Sequence, residues 1–144
     1  MSLSIPNQSA SAIPTPILIS TVVERKKEPI TLTGSCYCQH ITYNLRLDSL
    51  EDARTSLCHC RSCKKAFGGV FGVAAKAPLQ GFRYARESGK SVTHVGVDNE
   101  TTVHREFCGR CGSPIYWFAE GLKGHFRYVA VGSLDEPSRL PPRG

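Results

Sequence analysis

Seven cysteines fall into three tight clusters and nowhere else: Cys36-Tyr37-Cys38, Cys58-His59-Cys60-Arg61-Ser62-Cys63 and Cys108-Gly109-Arg110-Cys111. Two sulfurs one or two residues apart can grip one tetrahedral ion but seldom close a relaxed disulfide with each other, so these clusters read as zinc knuckles. The count is also odd. A disulfide framework would leave one thiol over, whereas a four-thiolate structural zinc plus a three-thiolate zinc with an open fourth position uses all seven. Neither standard ferredoxin spacing is present, which makes iron–sulfur ligation the weaker metal option.

The rest of the chain fits bound metal better than disulfides. Met1 to Ser20 has no charged side chain, and its longest apolar run is Ile17-Leu18-Ile19, unlike a secretory leader. No apolar stretch approaches the roughly 20 residues of a membrane span. A cytoplasmic location is therefore expected, where thiols stay reduced. With 144 residues there is room for one small domain, which thiolate-bound zinc commonly helps to stabilise. The formal charge of +6 would suit nucleic acid, but seven thiolates add −7 and two zinc ions add +4, leaving +3. The longest basic run, Arg25-Lys26-Lys27, is flanked by Glu24 and Glu28, so nucleic acid is not an expected partner.

Residues 1–29 are rich in Ser, Pro, Thr and Asn and read as a flexible arm, leaving residues 30–144 as the zinc-binding domain. Beyond Ile30, period-two alternation predicts antiparallel strands at Ile41–Leu47, Ser91–Val97, Thr101–Phe107 and Phe126–Val131. One short helical turn is predicted over Ser62–Phe67, stopped by Gly68-Gly69. The fold class is mainly β.

Cys36 and Cys38 pair naturally with Cys108 and Cys111 on one ion if two hairpin knuckles close the domain across its ends. Gly34, Gly109 and Gly112 would permit the tight turns that aim the sulfurs inward. Four thiolates saturate zinc, which makes this site structural. Cys58, Cys60 and Cys63 are different, because three ligands leave a position for water or substrate, the mark of catalytic zinc. The ring of His59, wedged between two ligands, should point away from the ion. Arg61, Lys64 and Lys65 flank the cluster and either bind an anionic substrate or stand as solvated surface cations. His59, His104 and Tyr116 are candidate proton shuttles, each better read as an ordinary exposed or core residue, and Trp117 and Phe118 are read as core rather than as a substrate wall.

A wider pattern accompanies the clusters. Gly34-Ser35-Cys36-x-Cys38-x-x-Ile41-x-Tyr43, Cys58-His59-Cys60-x-x-Cys63-Lys64-Lys65 with Gly68 and Gly69, Phe107-Cys108-x-x-Cys111-Gly112-Ser113-Pro114, and Gly132-Ser133-Leu134-Asp135-x-Pro137 occur in order. Together they resemble the glutathione-dependent formaldehyde-activating enzyme family, also called the centromere protein V/GFA family. The resemblance runs from about Thr33 to Pro137. It implies an Mss4-like fold of twisted antiparallel sheets and a four-cysteine zinc on Cys36, Cys38, Cys108 and Cys111. It also implies a second zinc on Cys58, Cys60 and Cys63, associated with glutathione binding and S-(hydroxymethyl)glutathione formation. Family members usually continue past the Leu-Asp-x-Pro segment, whereas here seven residues follow Pro137, so part of a substrate wall or dimer contact is expected to be missing.

The expected chemistry follows from the open zinc. A small thiol such as glutathione, stabilised as its thiolate, adds to formaldehyde or a related small carbonyl, and the reverse direction is carbon–sulfur lyase chemistry. Two other classes compete: a nucleic-acid-binding zinc ribbon, disfavoured by the modest charge, and a noncatalytic scaffold, disfavoured by the three-thiolate cluster. Oligomeric state has no signature in the sequence.

Overall fold

The computed structural model describes residues 28–142, so all but the last two residues of the expected arm lie outside the described residues. Among the described residues nine strands form two antiparallel sheets, and the described chain is mostly β. Strands β1 (Ile30–Ser35), β2 (Thr42–Leu47) and β5 (Phe82–Tyr84) make a three-stranded sheet in the order β1-β2-β5. Strands β3 (Arg54–Cys58), β4 (Gly72–Pro78), β6 (Val92–Asp98), β7 (Thr101–Phe107), β8 (Pro114–Ala119) and β9 (Phe126–Ala130) make a six-stranded sheet in the order β3-β4-β9-β8-β7-β6. Among the described residues a single α-helix, α1 (Arg61–Phe67), joins β3 to β4.

The four strands expected from alternation coincide with β2, β6, β7 and β9 to within one residue at each end. In β2 the alternation works directly, with Tyr43, Leu45 and Leu47 buried and Arg46 exposed. The β6–β7 hairpin turns at Asn99-Glu100, both at positive φ as a two-residue primed turn requires. The helix begins one residue earlier than expected and ends on Gly68 in the left-handed region.

One core lies between the sheets. Ile41, Tyr43, Leu45 and Leu47 meet Ala75, Ala77, Ile115 and Val129 from the larger sheet, and Phe82 of β5 packs edge-on against Tyr116 of β8 at 4.8 Å. Each fully buried aliphatic side chain here contributes about 1.5–3 kcal/mol. The segment after β9 closes the structure against β1: the Asp135 N–H donates to the Thr33 carbonyl at 2.9 Å, and Tyr43 Oη lies 2.6 Å from Ser133 Oγ. Gly34 is required at this closure by close approach rather than by a turn. A Cβ there would stand 2.3 Å from the Tyr43 ring and 2.7 Å from the Ser133 carbonyl.

Candidate metal centres

Two sulfur groups emerge from the fold, of four and of three cysteines, and within each all ligand atoms lie within 4.8 Å of one another. The four-cysteine group joins the two sheets. Cys36 and Cys38 follow β1 of the small sheet, while Cys108 and Cys111 follow β7 of the large one. Sulfurs bound to one zinc at about 2.3 Å sit about 3.8 Å apart at tetrahedral corners. The spacings of 3.6 Å for Cys36–Cys38 and 3.7 Å for Cys38–Cys108 match that edge and are far too long for disulfides.

Local hydrogen bonds build each knuckle. After β1 the chain reverses through Gln39, at φ 61°, with the Cys36 N–H donating to the Ile41 carbonyl. The Ile41 N–H in turn donates to Cys36 Sγ at 3.2 Å. The second knuckle repeats this pattern: Gly112 takes φ +76°, and the Arg110 N–H donates to Cys108 Sγ at 3.4 Å. Ser113 ties the two together, its hydroxyl accepting the Tyr37 N–H at 2.9 Å while lying 3.3 Å from Cys111 Sγ. That hydroxyl and the Ser113 backbone lower the Cys111 thiol to about 5. Such donors suit thiolates, and with Cys36 and Cys108 buried in the core this donor set fits a structural zinc. Gly109 answers a packing need as well, since a Cβ there would meet Val92 at 2.7 Å.

The three-cysteine group sits where β3 passes into α1. Cys58 ends β3, Cys60 is the helix N-cap and Cys63 lies in the first turn. Cys58 and Cys60 sulfurs are 3.4 Å apart, and Cys60 Sγ accepts the Cys63 N–H at 3.3 Å. That N–H, helped by the Cys58 thiol, holds the Cys60 thiol below its ordinary range. Burial pushes Cys63 up to about 12, and the sulfurs of Cys58 and Cys60 push it the same way. Three sulfurs so crowded ionise together only around a cation, so this donor set also fits zinc. Cys60 is exposed, and no fourth His, Cys, Asp or Glu joins the group among the described residues.

His59 is exposed and leans on Phe71, with ring centroids 5.6 Å apart. Arg61, Lys64 and Lys65 are exposed on α1. His104 pairs with Glu120 at 2.5 Å and stacks on Phe118, while Tyr116 packs against Phe82. Trp117 differs from the core residue expected: it is half-buried, stacks flat on Tyr128 at 3.9 Å, and lines a cleft beside α1. Sequence reasoning assigned no role to Ser113, Ser62 or Asp98. Asp98, at the β6–β7 turn, accepts from Ser62 Oγ at 2.8 Å and from Arg105 at 2.6 Å, which anchors the helix N-terminus to the hairpin. Those two interactions, the Arg105 one foremost, hold its carboxyl below the usual range. The Asp-Asn turn and the position of Ser113 beside a ligand were the available signals.

A cleft of about 480 Å³ lies against the four-cysteine knuckle, between Cys36, Tyr37, Ser113, Ser133 and Asp135. A family model described as glutathione-dependent formaldehyde-activating enzyme matches residues 31–144. The chain belongs to that family. Membership connects this formaldehyde-activating enzyme relative to glutathione- and formaldehyde-related chemistry. A solved structure of a Rhodobacter sphaeroides protein is similar in fold, with a TM-score of 0.53 and 24% identity, covering 72% of this chain and 87% of that one. No curated protein matches the chain. Among the described residues no helix is long and apolar enough to cross a membrane.

Proposed function

We propose that residues 30–144 form a zinc-binding domain that acts as a carbon–sulfur lyase of the S-(hydroxymethyl)glutathione synthase type. It joins a small thiol such as glutathione to formaldehyde or a related small carbonyl. The observation that carries this reading is the group of three sulfurs on Cys58, Cys60 and Cys63, open to solvent at Cys60 and with no fourth ligand among the described residues. The four-sulfur group, Cys36, Cys38, Cys108 and Cys111, with Cys36 and Cys108 buried, would hold the structural zinc.

In the forward direction a carbon–sulfur bond forms between the thiol and the carbonyl carbon. The thiol proton ends on the carbonyl oxygen, which becomes a hydroxyl, and nothing is oxidised or reduced. A zinc on the three cysteines would supply stabilisation of the incoming thiol as its thiolate at neutral pH. The chain's own residues do the rest. Asp98 and Ser62 fix the helix that carries Cys60 and Cys63, so the sulfurs stay in register while substrate enters. Arg61, Lys64 and Lys65 present exposed cations to the carboxylates of a glutathione-like thiol. Their flexibility suits recognition of a solvated ligand more than a fixed bidentate clamp.

Cobalt replacement tests the reading. Titrating glutathione into protein holding two metals per chain should strengthen the sulfur-to-metal charge-transfer bands, and Cys60→Ser should abolish that response. The zinc protein should also speed glutathione–formaldehyde exchange, followed by NMR line shapes, above the uncatalysed rate. An unchanged cobalt spectrum at millimolar glutathione, with no added exchange, would refute thiol activation here.

A further inference from the structure

The cleft beside α1 is a second feature of the same helix, and its lining is unlike that of the thiol group. Register places Arg105, Trp117 and Tyr128 side by side on one face of the large sheet, opposite the face that meets the small sheet. Ala66 and Phe67 of α1 overhang that face. Together with Phe107, Pro114 and Trp117 they enclose a cleft of about 330 Å³. A dry cavity of about 150 Å³ suffices to hold benzene, so this space takes a ring and a short chain.

The charged residues at the cleft are already occupied. Arg105 pairs with Asp98 at 2.6 Å, and Glu106 accepts the hydroxyls of Ser91 and Thr93. What the cleft offers a ligand is therefore mainly apolar and aromatic surface, with the His94 imidazole also on its lining. The Trp117 indole nitrogen is the one buried side-chain polar atom without a hydrogen-bond partner among the described residues, so this wall is also where internal pairing is incomplete.

Position links the cleft to the sulfurs. Ala66 and Phe67 stand three and four residues after Cys63, hence on the same face of α1 and about 4.5–6 Å along its axis. Phe67 and Cys63 both border Gly72, where an added Cβ would come within 2.7 Å of the Phe67 ring and 3.2 Å of Cys63 Cβ. A molecule whose reacting end is at the three cysteines can thus lay a body one helical turn long into the cleft. Formaldehyde has no such body.

We infer that this cleft binds the apolar, ring-bearing body of a small molecule, and, resting on the function proposed above, that this molecule is the carbonyl substrate: an aldehyde with an aromatic or bulky aliphatic group. Trp117 is the only tryptophan of the chain, so its emission reports the cleft directly. The probe is 2-phenylethanol, which has the ring but no carbonyl, added to the full-length zinc protein with excitation selective for tryptophan. A saturable change in emission is expected. Ala66→Phe, at an exposed helix position that tolerates the larger side chain, should fill the cleft and weaken binding at least tenfold, whereas Cys60→Ser should leave binding intact. In turnover with glutathione, Ala66→Phe should lower the ratio of kcat/KM for phenylacetaldehyde to that for formaldehyde at least tenfold.

Absence of a saturable response in the wild-type protein would overturn the inference outright. So would binding that Ala66→Phe leaves unchanged in a variant shown to be folded with two zinc ions. A turnover ratio unmoved by Ala66→Phe would overturn the assignment of the cleft to the carbonyl substrate. Saturable, Ala66→Phe-sensitive binding in a protein that catalyses no thiol addition to any aldehyde would refute the proposed function while supporting the cleft as an apolar ligand site.

Discussion

Serine substitution at single cysteines should separate the two sulfur groups, and the structure sets how widely. Cys36 is 2% exposed, belongs to the hydrophobic core and lies 3.6 Å from Cys38, whose sulfur reaches Cys108 of the other sheet at 3.7 Å. Structural zinc contributes about 10–16 kcal/mol in zinc-finger peptides, so one ligand in four corresponds to roughly 3–4 kcal/mol. Burying a hydroxyl in place of the sulfur adds about 1–3 kcal/mol. Against a net stability of about 5–15 kcal/mol for a domain, Cys36→Ser removes about a quarter or more of the margin and, at the lower end, all of it. Cys60→Ser touches none of this. Cys60 is exposed, and its structural role is to accept the Cys63 N–H as helix N-cap, for which a serine hydroxyl is at least as good. The expected loss is below about 1 kcal/mol. Thermal melts followed by circular dichroism, with metal content measured on each sample, should show Cys36→Ser aggregated or melting far below wild type. Cys60→Ser should stay folded with one firmly held zinc. Equal loss of structure in both variants would refute the division into structural and open sites.

Three further outcomes bear on the fold around the sites. Gly34→Ala forces a methyl to 2.3 Å from the Tyr43 ring, breaking the closure onto Ser133, and should destabilise by about 2–4 kcal/mol. A melting temperature within about 3 °C of wild type would contradict that. Ser113→Ala removes the hydroxyl that joins the Tyr37 N–H to Cys111 and should lower zinc affinity at the four-cysteine group by about 10–100-fold in chelator competition, with an unchanged affinity counting against its role. Deleting residues 2–28 should move the melting temperature by less than about 3 °C, because β1 begins only at Ile30; a larger drop would extend the domain into that segment.

The clusters were legible because metal ligation demands particular atoms at short spacing, and a backbone reversal at each knuckle is the cheapest way to aim them. Strands β2, β6, β7 and β9 were legible because each alternates. Strand β4, Gly72-Val73-Ala74-Ala75-Lys76-Ala77-Pro78, escaped notice for a physical reason. It lies between α1 on one face and the core on the other, so both faces need small residues, and Ala and Gly carry little strand preference. Strand β8, Pro114-Ile115-Tyr116-Trp117-Phe118-Ala119, hid behind the opposite trait. Its apolar residues run without interruption because Tyr116 and Phe118 face the small sheet while Trp117 faces the cleft.

That uninterrupted run is also why a substrate wall could not be told from core. A tryptophan between two aromatic neighbours has the same sequence signature whether its outer face meets protein or ligand. What distinguishes the two is the third element, and here α1 covers the sheet only partly. The helix is seven residues long, its N-terminus anchored by Ser62 to Asp98 and its end capped at Gly68. It is long enough to present Cys63 at one end and Phe67 at the other, but it leaves Trp117 half-exposed between them. The short span from Cys58 to Gly68 therefore fixes two things at once, the geometry of the thiol group and the width of the cleft beside it. Substitutions that alter substrate size preference without altering metal content should accordingly fall on Ala66 and Phe67, on the helix face that continues from the sulfurs.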